Sequence, residues 1–278
     1  MKIAILHAHD DDRLLLSPEY VASLDEHEVI AEHGADGAWP ETASRAALLA
    51  DAGLVLCVGW LNLDDIAMLP VEAVVISLLR LERAPVAIRQ AFRQRGIACL
   101  SVDRLDDGNA MEVLRRLCGA MVPQLVTGAL PGRLLGGIDG LPPVEVQVIG
   151  ADTLGRMAAE QLVGTGAVVW LIDPDPDRLK PPIPGVFCAV YPRPIVDLTV
   201  LAEGESPDGL ILDLREACRQ GTDPTRSLPQ TATALLSRQL IADIRLLADG
   251  ASPTGHRRFA SALYWGEDDD GMSLHHLG

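Results

Sequence analysis

The chain has 278 residues, 48% of them apolar and 4% aromatic, which is length and apolar content for two domains with their own cores. A formal charge of -16 excludes the basic surface that nucleic acid or an anionic membrane face requires. No apolar run reaches membrane-spanning length free of charge.

The opening residues MKIAIL read as a strand and not as a signal peptide, so a soluble cytoplasmic protein is expected. Five cysteines are scattered with no C-x-x-C spacing, and most lie in apolar surroundings, where they read as buried free thiols. After the strand Lys2 to Leu6 comes His7-Ala8-His9-Asp10-Asp11-Asp12-Arg13. Two histidines beside acids can bind a metal, but a solvated acidic loop is the preferred reading, and no metal is expected. Ser17-Pro18 starts a helix, His27 to His33 is a strand, a helix covers ETASRAALLADA, and Leu54 to Trp60 is a buried strand. A strand ending near Leu79, a helix from Pro85 to Arg95 and a strand from Ile97 to Val102 continue the alternation. That pattern implies a parallel sheet with helices on both faces. NAMEVLRRLCGAMVPQLVTGAL reads as one long amphipathic helix, and Pro131-Gly132 with the glycines that follow as a linker.

The stretch from Leu134 to Asp175 organises the rest. It predicts a strand (Val144 to Ile149), a glycine-bearing loop, a helix (Thr153 to Gly164), a second strand (Val168 to Ile172) and then Asp173. Both strands are continuous apolar runs, as in parallel strands covered on both faces. A glycine loop between strand and helix, with an acid about 20 residues on, is the dinucleotide-binding fingerprint. The candidate cofactor residues are therefore Gly150, Asp152, Thr153, Leu154, Gly155 and Asp173, for NAD(H) or NADP(H). Asp152 stands where the fingerprint has its middle glycine, which lets backbone approach a pyrophosphate. A carboxylate there disfavours the cofactor. Asp152 also reads as the N-cap of the helix, and either reading fills the phosphate seat with protein.

The segment GRLLGGIDGLPPVEVQVIGADTLGRMAAEQLVGTGAVVWLIDPDPDRL resembles the alanine dehydrogenase and transhydrogenase alpha-subunit family. So do Arg13 to Pro18, HEV, HGADGAW, LADAGLVLCVGW, Gly209 to Pro224 and Ser227 to Gly250. The resemblance implies an α/β fold of two doubly wound parallel-sheet domains. A shortened Rossmann-like domain, 131–224, is inserted in a discontinuous substrate-type domain, 1–130 plus 225–278, with the ligand in the cleft. It implies that Arg13 binds a substrate carboxylate, although a solvated loop arginine is an equal reading of the residue itself. The family's catalytic lysine falls within Cys57-Val58-Gly59-Trp60, which has none, and Lys2 and Lys180 are the only lysines. Arg80 stands at the family's histidine, where it holds an anion or pairs with Glu82. Arg238 replaces an asparagine. One strand-helix unit is missing after Asp173, leaving room for VFCAVYP, a short helix near Val196 to Ala202 and the strand GLILDL.

Two functions follow. The first is a diverged homologue lacking the catalytic lysine and histidine, a pseudoenzyme that binds a small ligand, regulates or scaffolds. The second is an NAD(P)-linked oxidoreductase of altered chemistry, acting on an amino, imino or keto acid held by Arg13 and Arg80. A homo-oligomer, or a complex with a related subunit, is expected in either case.

Overall fold

The structure, a computed structural model, describes all residues except 9, 36, 79–83, 191–198, 203–209, 215–223, 261 and 265–278; for 106–108, 199–202, 210–213, 260 and 264 it describes the backbone. The chain forms two compact units, Met1–Met111 with Pro229–Gly278, and Glu112–Leu228.

The first unit begins with β1 (Lys2–Leu6), β2 (Glu28–Glu32), β3 (Thr42–Ala43), β4 (Leu54–Cys57), β5 (Val74–Ser77) and β6 (Ala98–Ser101). A 3-10 turn at Pro18–Leu24 and helices α1 (Arg45–Leu49), α2 (Leu63–Met68) and α3 (Val86–Arg95) connect them. Asn62 and Asp65 exchange side-chain-to-amide bonds in a capping box that fixes the start of α2. Gly96, at φ 64, ends α3 in the left-handed conformation that glycine adopts without steric cost. The six strands pair in parallel, in the order β6-β5-β4-β1-β2-β3. Every residue of β4 and β6 is buried, and all of β1 after Lys2, so both faces of this sheet are covered. The strand order reverses between β1 and β4. The crevice outside their carboxyl ends is the sheet's topological switch point, where open α/β sheets take ligands.

The expected long helix is two helices, α4 (Asn109–Ala120) and α5 (Val122–Ala129). Pro123 causes the break, because it has no amide to donate and its ring crowds the carbonyl four residues back. Met121 at the joint donates to both Leu117 and Cys118 carbonyls. The second unit starts inside α4, ahead of Pro131-Gly132, because Cys118, Val122 and Val126 pack into the second core.

That core lies against β7 (Glu145–Ile149), α6 (Thr153–Gly164), β8 (Val168–Asp173) and β9 (Val186–Val190). β7, β8 and β9 are parallel. β10 (Thr199–Ala202) and β11 (Leu210–Asp213) complete the order β11-β10-β7-β8-β9, each antiparallel to its inner neighbour. The helix expected near Val196 to Ala202 is thus a strand over 199–202, and 196–198 lie outside the described residues. Pairing with β7 on one side and β11 on the other holds this stretch as a strand. Full coverage of this sheet is also corrected. Val146, Val148, Val169 and Leu171 are buried beneath α4, α5 and α6. On the opposite face Gln147, Trp170 and Phe187 lie in register and stay partly exposed, with the two rings stacked at 5.0 Å.

The chain returns to the first unit through α7 (Pro229–Ala248), α8 (Arg257–Ala260) and β12 (Leu263–Tyr264), which pairs antiparallel with β6. α7 buries Ala232, Leu236, Leu240, Ile244 and Leu247, a helical stripe. Its Thr233 and Ser237 hydroxyls accept the amides of Leu14 and Ser17, each at 2.8 Å. Among the described residues no helix is long and apolar enough to cross a membrane.

Candidate functional site

In the second unit the chain leaves β7 at Gly150, whose φ of 103 is open to glycine at little cost. Its amide donates to the Ile172 carbonyl at 2.7 Å, which joins the loop to β8. Asp152 then caps α6, its Oδ1 accepting the Gly155 amide at 3.0 Å. Thr153 is the first helical residue, and its hydroxyl donates to Glu112 of α4. Leu154 and Gly155 are buried on the core side. The positive end of the α6 dipole is thus met by two carboxylates of the chain itself, an arrangement that stabilises the helix.

Asp173 closes β8 and is 2% exposed. Its Oδ2 accepts the Ala151 amide at 2.7 Å and its Oδ1 the Asp175 amide at 2.8 Å. Both carboxylate oxygens hold backbone, one on the glycine loop and one on the turn after the strand.

In the first unit Arg13 is 2% exposed. Its Nε and Nη2 donate to the two carboxylate oxygens of Asp11 at 2.9 and 2.6 Å, a bidentate pair. Arg13 is therefore a buried residue, and the reading as a solvated loop arginine is corrected. Arg80 lies outside the described residues, and so does any meeting of the two arginines. Arg238 is on the exposed side of α7.

Where β1 and β2 end, Arg45 is clasped by Asp65 through two 3.0 Å bonds and reaches Glu32 at 2.8 Å. Burial works against its charge. The Asp65 hydrogen bond and the charges of Asp65 and Glu32 outweigh that and raise its pKa above the ordinary value. Nearby Cys57 is fully buried, and burial pushes its thiol up to about 12 against the opposing pull of Ser77 and Arg45. Among the described residues no three His, Cys, Asp or Glu side chains gather as a metal would need; His9 lies outside them.

Sequence reading missed Glu112, Asp11 as the partner of Arg13, and the group of His7, Glu32, Arg45 and Asp65. Only the first left a trace in the sequence. Glu112, Arg115 and Gly119 fall on one stripe of α4, and Arg115 pairs with Glu112 at 3.2 Å. A Cβ at Gly119 would stand 2.5 Å from the Leu154 carbonyl, so this stripe faces α6.

No protein-family model matches the chain. It is 26% identical to the alanine dehydrogenase of Bacillus subtilis over 194 residues, which cover 62% of this chain and 51% of that enzyme. The match thus spans about half the length of that relative. Among solved structures, an L-alanine dehydrogenase superposes with a TM-score of 0.75 at 17% identity, covering 95% of this chain and 94% of the other. The transhydrogenase from Sinorhizobium meliloti gives 0.72 at 15% identity, covering 95% and 98%. At such identities the likeness is one of fold. The chain thus shares the fold of these two proteins and a partial sequence similarity with alanine dehydrogenase.

Proposed function

We propose that this chain is a cytoplasmic, diverged relative of alanine dehydrogenase without dinucleotide chemistry, a pseudoenzyme that binds a small ligand in a regulatory or scaffolding role. One observation carries the reading: the amino end of α6, where the fold seats a pyrophosphate, is met by the carboxylates of Asp152 and Glu112. A pyrophosphate brought there meets like charge in place of free amides. The residues present do not fit NAD(H) or NADP(H), and no hydride step is assigned to the chain. The absence of lysine and histidine at the positions that the family resemblance marks supports the same reading, as does the burial of Arg13 against Asp11. We propose further that the chain assembles with copies of itself or with a related subunit, which sedimentation of the purified protein tests.

Calorimetric titration with NADH and NADPH is the decisive experiment. The expected result is no heat of binding for the unaltered protein. Binding in the micromolar range would overturn the proposal. It would favour the second reading, an NAD(P)-linked oxidoreductase on an amino, imino or keto acid held by Arg13 and Arg80. Two features speak for that second reading: the left-handed turn at Gly150 and the position of Asp173 at the end of β8, both of which the dinucleotide fold requires.

A further inference from the structure

β9 ends the second sheet. β8 pairs with one of its edges, and among the described residues no strand pairs with the other. A strand so placed offers a row of backbone N–H and C=O groups to another strand, and proteins usually blunt such an edge with lysine, proline or extreme shortness. The first sheet is blunted in this way, since its end strands β3 and β12 have two residues each. β9 has five, Val186-Phe187-Cys188-Ala189-Val190, with no charge and no proline. Its side chains are open as well: Phe187 is 53% and Val190 55% exposed, and Cys188 is exposed.

The backbone shows which residues face outward. The Val186 amide donates to the Ile183 carbonyl at 3.1 Å and is spent there rather than on β8. Backbone groups of alternate residues point to the same side of a strand, so those of Cys188 and Val190 also point away from β8.

A second copy of β9, laid antiparallel, fits this edge. One register gives every residue a partner: Cys188 opposite Cys188, Phe187 opposite Ala189 and Val186 opposite Val190. Each pair is apolar on apolar. The central pair exchanges two backbone hydrogen bonds across a twofold axis. Phe187 then lies diagonal to its counterpart, within reach of an aromatic ring, which joins the Trp170–Phe187 stack of one copy to that of the other. Charge favours the same strip. Two copies at a formal -16 each approach with least repulsion where neither carries a charged side chain.

We propose that β9 is the contact edge of a homodimer, in which two second sheets join antiparallel about a twofold axis at Cys188 into one continuous sheet. The inference rests on the reading that the chain assembles with copies of itself, and it names the surface.

The test is sedimentation of the full chain over a concentration series, with Cys188→Pro, Val190→Lys and Leu141→Lys beside the unaltered protein. Proline at 188 removes an outward N–H and spares the ladder with β8, so the circular dichroism spectrum holds. Cys188→Pro should raise the dissociation constant at least about tenfold and halve the sedimenting mass. Val190→Lys, which leaves the backbone untouched, should weaken association about fivefold. Leu141→Lys, at a position 69% exposed and outside β9, should change nothing. Oxidation with diamide of a Cys218→Ser variant should link two chains, because the Cα atoms of an opposed, hydrogen-bonded pair lie about 5.5 Å apart, within disulfide reach. Cys188→Ser should abolish the link. A dimer that withstands both Cys188→Pro and Val190→Lys, or that gives no link through Cys188, overturns this inference and leaves self-assembly standing. A single protomer at every concentration defeats self-assembly itself, and the β9 edge with it.

Discussion

Cys57 ends β4 with its thiol wholly inside the first core, pushed up to about 12 from an ordinary 9.0. The fold keeps a proton there that the unfolded chain gives up above pH 9. The contribution to stability is therefore complete below that pH and is lost as the pH rises toward about 12. The loss is about 1.4 kcal/mol per unit. Urea melts at rising alkaline pH should show this decline, and a Cys57→Ala variant should decline less steeply. Alkylation gives a second check: exposed Cys188 reacts in the native protein, whereas buried Cys57, Cys99 and Cys118 react only on unfolding. Asp173 is buried at the end of β8 with both carboxylate oxygens engaged by backbone amides. Asp173→Ala strands the Ala151 and Asp175 amides, and a denaturant titration should show a loss of about 2–3 kcal/mol. The Asp152 cap is legible in the sequence, since an aspartate just before a helical apolar pattern satisfies an orphan amide locally. The sequence shows Glu112 only as part of a stripe on α4; its bond to Thr153, like that of Glu32 to His7, is not legible, because the partners lie far along the chain and meet only through helix and strand packing.

α4 and α6 approach as closely as their backbones allow. A methyl group at Gly119 would fall 2.5 Å from the Leu154 carbonyl, an atom that cannot rotate away. Gly119→Ala should therefore force the helices apart at a cost of about 1–3 kcal/mol, read as a lower denaturation midpoint. The same separation should draw Glu112 away from Thr153, two turns back along α4, and hydrogen exchange at the start of α6 should quicken. Element by element, the first sheet is legible because buried parallel strands are short apolar runs between turn signals. The split of α4 from α5 is concealed by an amphipathic stripe that runs through both, although Pro123 marks it. At β10 a four-residue apolar run fits strand or helix equally well, and only pairing with β7 decides it.

At the scale of the molecule a net charge of -16 over 278 residues and a pI near 4.7 mean that like charges repel across the folded surface at neutral pH. Salt screens that repulsion. Raising it from about 0.02 to about 0.5 M should raise the melting temperature, and a fall would show that ion pairs such as Arg45 with Asp65 weigh more than the net charge. The plan of a second unit inserted in a discontinuous first one comes from the family resemblance, whereas the boundary inside α4 is not legible, since it depends on which core receives Cys118 and Val122.

The return of α7 to the first unit also sets an order in time. A ribosome delivers the apolar segment Leu14–Ser17 long before Thr233 and Ser237, the hydroxyls that receive its Leu14 and Ser17 amides. The middle of the chain, Glu112–Leu228, is fully synthesised first and can close on its own strands. The amino-terminal part is completed only once α7 has emerged, so its folding is expected to finish after that of the middle unit.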